Sequence, residues 1–528
     1  MLRRLRKRVS LRGVGRDEAR LGLAMLCFLA VVAGVSGATV SAVFRQAGTL
    51  KWALAFTGPV GLLTVLAAKH PLRVAVGLLI VAVPFGNLRA TIHGVEIPLV
   101  GGLAALAVVI AILSGPLPRR LSPLGAGAIT GMVLLAIPLL SGGGQTPLLS
   151  GGGTPIQSHL VVLLAAGVVA WLTSAVAREA DGLRFVLGAL VVSATVQAAV
   201  AIWELHTKHQ VNFYGSAGSS EFGSDYFFGY GQTFRPLGSF YDPISLGNLL
   251  ALAIPISFVS VLTEPSAVKR LAGVAATLVI AIGLLLTLSR MSWVGATAGL
   301  LLSTLLLPRR ERRRALLVLV PTAVALLLVI VSVGGQAFGN RFESILHPRQ
   351  ATVSTSLGDK VRVEDWTASL QIWESDPVAG VGLGNMPAAL AQRLPFITLG
   401  AQAQSVYLQL LAEAGVLGGA ALLLLLLTQA RVIIAGLHSS QRRIAAGLAG
   451  STLAMMLGWT TDVTIRYAPV ACYVAVVFGA AAGMWQADRG SPPDWTDLAN
   501  LVPDSRLGSL AATERTATDP IVRRRSLA

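Results

Sequence analysis

The sequence predicts an all-α, polytopic integral membrane protein, and three observations carry that prediction. Of the 528 residues, 54% are hydrophobic and only 13% are charged, with a mean hydropathy of +0.70; an ordinary soluble domain has about 25% charged residues. The apolar residues gather in runs of roughly 17 to 25, the length that crosses a bilayer as a helix. The 42 Lys and Arg outnumber the 25 Asp and Glu to give a formal charge of +17. They fall between the apolar runs rather than on a polar surface interleaved with aromatics, which excludes a nucleic-acid binder.

Apolar windows separated by charged, Gly-rich or Pro-rich breaks define about fourteen spans, or twelve if the short one containing Pro84 and a neighbour are discounted. They lie near 21–44, 52–68, 74–88, 96–115, 124–142, 159–177, 185–203, 243–263, 271–288, 291–307, 315–333, 404–428, 444–464 and 468–485. The first follows a basic tail (residues 1–20) and is longer than the apolar core of a cleaved signal, so it reads as a retained helix. With that tail inside, 30 of the 42 basic residues fall on cytoplasmic segments and 12 outside. This bias fixes the orientation, with both termini cytoplasmic. The net charge divides into +18 inside and −1 outside, so the excess is a topology signal. The organisation expected is helices over 21–203, an external loop at 204–242, central helices over 243–333, a second external loop at 334–403, C-terminal helices over 404–485, and a disordered cytoplasmic tail at 486–528.

The two long external segments are where chemistry is expected, because short connections suffice for folding. The first ends in FRPLGSFYDP (Phe234 to Pro243), where Arg235 near Tyr241 and Asp242 is suited to gripping a phosphate. An interfacial anchor paired with Asp242 would use the same residues. TLSRMSW (Thr287 to Trp293) places Arg290 in a tight external turn. The second loop holds Arg341, Arg349, Lys360, Arg362 and Arg393, and within it Trp366, Leu370 and Trp373 have the spacing of an amphipathic interfacial helix over 363–374. GVGLGN (Gly380 to Asn385) has no parallel-sheet context and reads as a tight turn rather than a nucleotide loop. His206 and His209 lack a third ligand, and Cys27 and Cys472 both fall in apolar runs, so neither a metal site nor a disulfide is indicated.

The ordered set FRPLGSFYDP, TLSRMSW, Arg362-x-x-x-Trp366 followed by DPVAGVGLGN, and QSVYLQLLAEAGVLGG resembles the O-antigen ligase and Wzy-type polymerase family of bacterial envelope glycan assembly, over roughly residues 200 to 430. The resemblance implies a metal-independent, cofactor-free glycosyltransferase of the cytoplasmic membrane acting on its outer face. An undecaprenyl-diphosphate-linked oligosaccharide would be the donor, a glycan or lipid the acceptor, and the polysaccharide export pathway the source of protein partners. It also implies that Arg235 and Arg362, with Arg290 as a third, hold the diphosphate. Fixed guanidinium groups at a low-dielectric boundary would stabilise charge growing on that leaving group. Tyr241, Asp242, Trp366, Ser405 and Tyr407 flank those positions and are the expected substrate contacts.

The sequence departs from the ligase pattern at one position. Counting eleven residues back from Gly415 of G-x-x-G puts Gln404 where the ligases have a His proposed as base, followed by Ser405. A glutamine amide can orient a hydroxyl but cannot take its proton near neutral pH. Three readings follow. The chain is a polymerase, in which this His is not uniform; or Asp242, Glu364, Asp365 or His347 supplies the base, Glu413 being set aside as lying on the opposite helical face from Gln404; or the chain is catalytically silent. A transporter or flippase is the rival from another class, although the spans are nearly free of mid-membrane charge.

Overall fold

The computed structural model describes residues 68, 70–85, 89–92, 95–113, 122–141, 155–207, 234–240, 242–317, 319, 353–394 and 402–490. These are overwhelmingly helical. In chain order the helices are α1 (Pro71–Ala82), α2 (Leu99–Leu113), α3 (Pro123–Ser141), α4 (Pro155–Val176), α5 (Ala180–Thr207), α6 (Pro243–Thr263), α7 (Ala267–Leu286), α8 (Arg290–Leu306), α9 (Val353–Ser375), α10 (Met386–Arg393), α11 (Val406–Leu437), α12 (Arg442–Gly458) and α13 (Ala468–Gly490). Five of them, α5, α6, α7, α11 and α13, are long and apolar enough to cross a membrane. The spans expected at 21–44 and 52–68, and that at 315–333 beyond its first residues, lie outside the described residues.

Several boundaries differ from the sequence expectation, each for a local reason. The short span at 74–88 stops being α-helical at Ala82 and tightens into a 3-10 turn, Val83–Phe85, around Pro84, because a proline ring clashes with the preceding turn and offers no N–H. The span expected from 96 instead begins in an antiparallel hairpin, β1 (Arg89–Ile92) with β2 (Val95–Pro98), an addition to the all-helical expectation. The span at 444–464 ends at Gly458, leaving Trp459 to Tyr467 as a connection with its own 3-10 turn, Thr464–Arg466. The helix expected at 404–428 starts at Val406, so Gln404 and Ser405 precede it.

Small residues let the helices approach closely. On α8, Gly295 and Gly299 pack against the backbone of Ala454 and Gly450 on α12; a Cβ at Gly295 would come within 2.7 Å of the Ala454 carbonyl oxygen. Ser303 donates to the Ala446 carbonyl at 2.9 Å across the same crossing. Such small-residue seams suit helices in lipid, where packing and hydrogen bonds replace the hydrophobic drive. The inner helices α6 and α13 are largely enclosed, whereas α7 is largely exposed along its length, with apolar side chains such as Val268 and Leu271 outward.

The bundle has two chemically different ends. One holds the starts of α1, α5 and α12, the α6–α7 connection and the C-terminus of α8, with the ion pairs Arg73–Glu179 and Arg443–Glu311 and an Arg178 Nε–H donated to Gln486 at 2.8 Å. At the other end lie the C-termini of α5, α7 and α12 and the N-termini of α6, α8, α11 and α13. The four N-termini bring positive dipole ends to that side.

Candidate active site

The site is built where the α5 C-terminus, the 234–242 segment and the α7–α8 turn meet. Glu204, completely buried on the last turn of α5, accepts the backbone N–H groups of Leu237 and Gly238, each at 2.8 Å. Two turns earlier Gln197 Oε1 accepts the Ser239 N–H at 2.9 Å. These bonds satisfy the donors of a buried turn that has no ladder or helix of its own. The same turn positions Arg235, 6% exposed, whose Nε–H donates to the Thr287 carbonyl at 2.8 Å. FRPLGS and TLSR, fifty residues apart, are thus one structure. Glu204→Ala should strand two buried donors at a cost of about 2–5 kcal/mol. The check is the thermal midpoint of the detergent-purified protein, with Glu204→Gln expected between mutant and wild type.

Asp242 is the N-cap of α6. Its Oδ1 accepts from the Ile244 and Ser245 N–H groups (2.7 and 2.8 Å) and its Oδ2 from the Ser245 hydroxyl (2.6 Å), so both oxygens of this base candidate carry capping bonds. Arg290 is the first residue of α8, following Leu288 at φ +53°. A cation at a helix N-terminus is unfavourable for the helix itself. Tyr241 and His347 lie outside the described residues.

A second group of side chains, not singled out from the sequence, joins these pieces. Ser292 on α8 donates to Asn248 Oδ1 on α6 at 3.0 Å, and Asn248 Nδ2 donates to Thr464 Oγ1 at 2.9 Å, with Asp462 Oδ2 at 3.5 Å. Asp462 is 8% exposed. Its carboxyl is pushed above the usual carboxylate range by burial and by the charge of Asp242, opposed by bonds from Val463 N–H and Thr464 and by the Arg362 cation. Arg362, from the second long loop, is thereby brought to the α6 N-terminus and the α12–α13 connection. The only signal in the sequence was a lone carboxylate, TTDVT, at the end of an apolar run, which the expected span to 464 absorbed.

Arg362 reaches that place because the second loop is itself folded. Its helix is longer than the spacing indicated, and Asp365, Ala368, Ser369 and Ile372 point inward while Leu370 is exposed. The small Ala368 and Ser369 let α9 lie close to α10 and α11, with Ile372 packing in a core of Met386, Leu390, Ala403 and Ala412. Trp366 donates its indole N–H towards the Gln404 carbonyl at 3.4 Å.

GVGLGN does more than turn the chain. Gly415 breaks α11 at φ 60°, ψ −155°, and the 377–382 backbone enters the break. Val381 and Gly382 N–H groups donate to the carbonyls of Ala412 and Glu413 (3.0 and 2.9 Å), and Val416 N–H donates to Pro377 (2.9 Å). A Cβ at Gly380 would sit 2.5–2.6 Å from the Glu413–Ala414 backbone. Glu413, set aside above on a helical-face argument, is excluded on different grounds. Gln404 is not on the helix, and Glu413 is buried, accepting from Gln409 Nε2 at 2.6 Å. Gln409 Oε1 in turn accepts the Ala403 N–H at 2.9 Å. This chain holds residues 402–405 in place, with Gln404 in the left-handed region at φ +52° and Ser405 buried at the N-cap. Among the described residues Leu288 and Gln404 are the two non-glycines with positive φ, and both border the site, where such strain tends to collect. Tyr407 commits its hydroxyl to the Met456 carbonyl at 2.9 Å.

Arginines and carboxylates from five segments therefore share one end of an apolar bundle. Among the described residues, no three His, Cys, Asp or Glu side chains are grouped to hold one cation. The class is a helical membrane protein whose arginines and buried carboxylates gather at one end of the bundle. Residues 275–423 match the family model described as O-antigen ligase, so this segment is similar to that family. The matched region carries Arg290, Arg362 and Gln404, while Arg235 and Asp462 are joined to it by the fold. No curated protein matches the chain.

Proposed function

We propose that the protein is a glycosyltransferase that extends glycan chains carried on undecaprenyl diphosphate, at the outer face of the bacterial cytoplasmic membrane. The observation that carries this reading is the gathering of Arg235, Arg290 and Arg362 with Asp242 and Asp462 at one end of the bundle. Guanidinium groups there would bind the donor diphosphate and stabilise its charge as the anomeric carbon passes to an acceptor hydroxyl. The cation-rich opposite end supports an outward-facing site. A site at the boundary also fits surface transfer better than midplane transport.

Gln404 in place of the ligase His favours polymerisation over ligation. A deletion strain is expected to accumulate single-repeat lipid-linked intermediate; accumulation of full-length lipid-linked chains would make the protein a ligase, and no accumulation would overturn the reading. Gln404→His is expected to fold, since His tolerates the left-handed backbone better than most residues, and to leave the glycan length distribution polymerase-like. Glycan appearing on a lipid acceptor in that variant would move the assignment to ligase.

A further inference from the structure

We propose that Asp365 is the catalytic base of this site, the group that takes the proton from the acceptor hydroxyl. The inference rests on the transferase reading above and adds the residue that the Gln404 position lacks.

Asp365 is 3% exposed and its Oδ1, fully shielded, has no hydrogen-bond partner among the described residues. A buried carboxylate oxygen without a donor is costly, and a donor arriving with a substrate would remove that cost. The residue is one turn from Arg362 on α9, whose charge acts on it, and it adjoins Trp366, which leans on the Gln404 carbonyl. It therefore lies one turn from the cation assigned to the diphosphate, on the helix that also touches the position where the ligases carry their base. The other candidates among the described residues are engaged or turned away. Asp242 caps α6, Glu413 is bonded to Gln409, Asp462 sits in the Asn248–Thr464 network, and Glu364 is exposed.

Burial first, and the Glu364 charge second, push the Asp365 carboxyl up to about 6, against the opposing pull of Arg362. The charged groups on the elements packed against α9 are engaged elsewhere: Arg393 of α10 bonds Ser375 and Glu413 of α11 bonds Gln409. A base of this strength is mostly ionised at neutral pH yet basic enough to accept a proton. In the step, the acceptor oxygen forms a bond to the anomeric carbon and the bond from that carbon to the diphosphate breaks. Its electron pair leaves with the lipid diphosphate, and the hydroxyl proton passes to the Asp365 carboxylate.

The test uses the full-length protein in nanodiscs with lipid-linked glycan extracted from its own host, reading release of undecaprenyl diphosphate against pH. Wild type should show an acidic limb near pH 6, with activity lost below it as the base protonates. Asp365→Asn should lower the rate about 10²–10⁴-fold. Glu364→Gln, at an exposed position, should move the limb to lower pH while keeping the plateau. An unchanged limb in Glu364→Gln, or a near-normal rate in Asp365→Asn, overturns the base assignment and leaves the transferase reading standing. If wild type releases no undecaprenyl diphosphate, the transferase reading falls and the base assignment falls with it.

Discussion

Arg362→Ala is expected to reduce polymer formation about 10²–10³-fold, the loss that follows removal of one fixed charge-stabilising donor from a transferase site, while the protein remains folded in the membrane. Arg362 is half-buried on α9, so its loss opens no core cavity. Two effects act together. A diphosphate bound as proposed would lose a planar, two-pronged partner, and Asp462 and Asp365 both lose the cation that opposes their burial. Without it both carboxyls rise further, so the acidic limb of the activity profile should shift to higher pH. Arg362→Lys keeps the charge and should keep the limb, but not the bidentate geometry, so its rate should stay well below wild type. The measurement is glycan length and amount on gels of cells expressing each variant, with membrane levels checked in parallel. Wild-type glycan from Arg362→Ala would remove this residue from the site.

Gly415→Ala is expected to destabilise the protein by about 4 kcal/mol, and to abolish activity through structure rather than chemistry. The backbone at φ 60°, ψ −155° lies in a region open essentially to glycine alone, with a cost of about 1–3 kcal/mol for any other residue. The added methyl would also overlap the Val378 carbonyl, a steric cost of similar size. Relief requires expelling the 377–382 backbone from the break in α11, which gives up the bonds from Val381, Gly382 and Val416. The 402–405 turn and α9, which pack on that dock, would loosen with it. Size-exclusion melting curves in detergent, with limited proteolysis across 353–405, check this. A companion Gly188→Ala, at a helical position where an added Cβ meets nothing within 4 Å, should leave both unchanged.

These two residues also mark how far the candidate site was legible in the sequence. Arg235 and Arg290 fell next to expected membrane boundaries in a chain poor in charge, and Arg362 stood out through the motif Arg362-x-x-x-Trp366 in the second long loop. The G-x-x-G of α11 was visible only as a register for counting back to Gln404. Its physical role, a helix break filled by a distant backbone, depends on an interaction across some thirty residues that no periodicity encodes. On α9 the spacing of Trp366, Leu370 and Trp373 marked an amphipathic helix, and only the fold shows that the small Ala368 and Ser369 form its inner face, with Leu370 outside.

The sequence by itself determined the helical membrane class, where most described helices run, the charge asymmetry, and the order of the motifs, because burial in lipid is a property of each segment taken alone. Only the tertiary structure decided that Asp462 belongs with Arg362 and Asp242, 100 and 220 positions earlier, that Glu204 holds the Arg235 turn, and that one Asp365 oxygen has no partner among the described residues. A pKa or a hydrogen bond depends on what the fold brings within a few ångströms, and the spacing of residues along one strand of sequence carries no record of that.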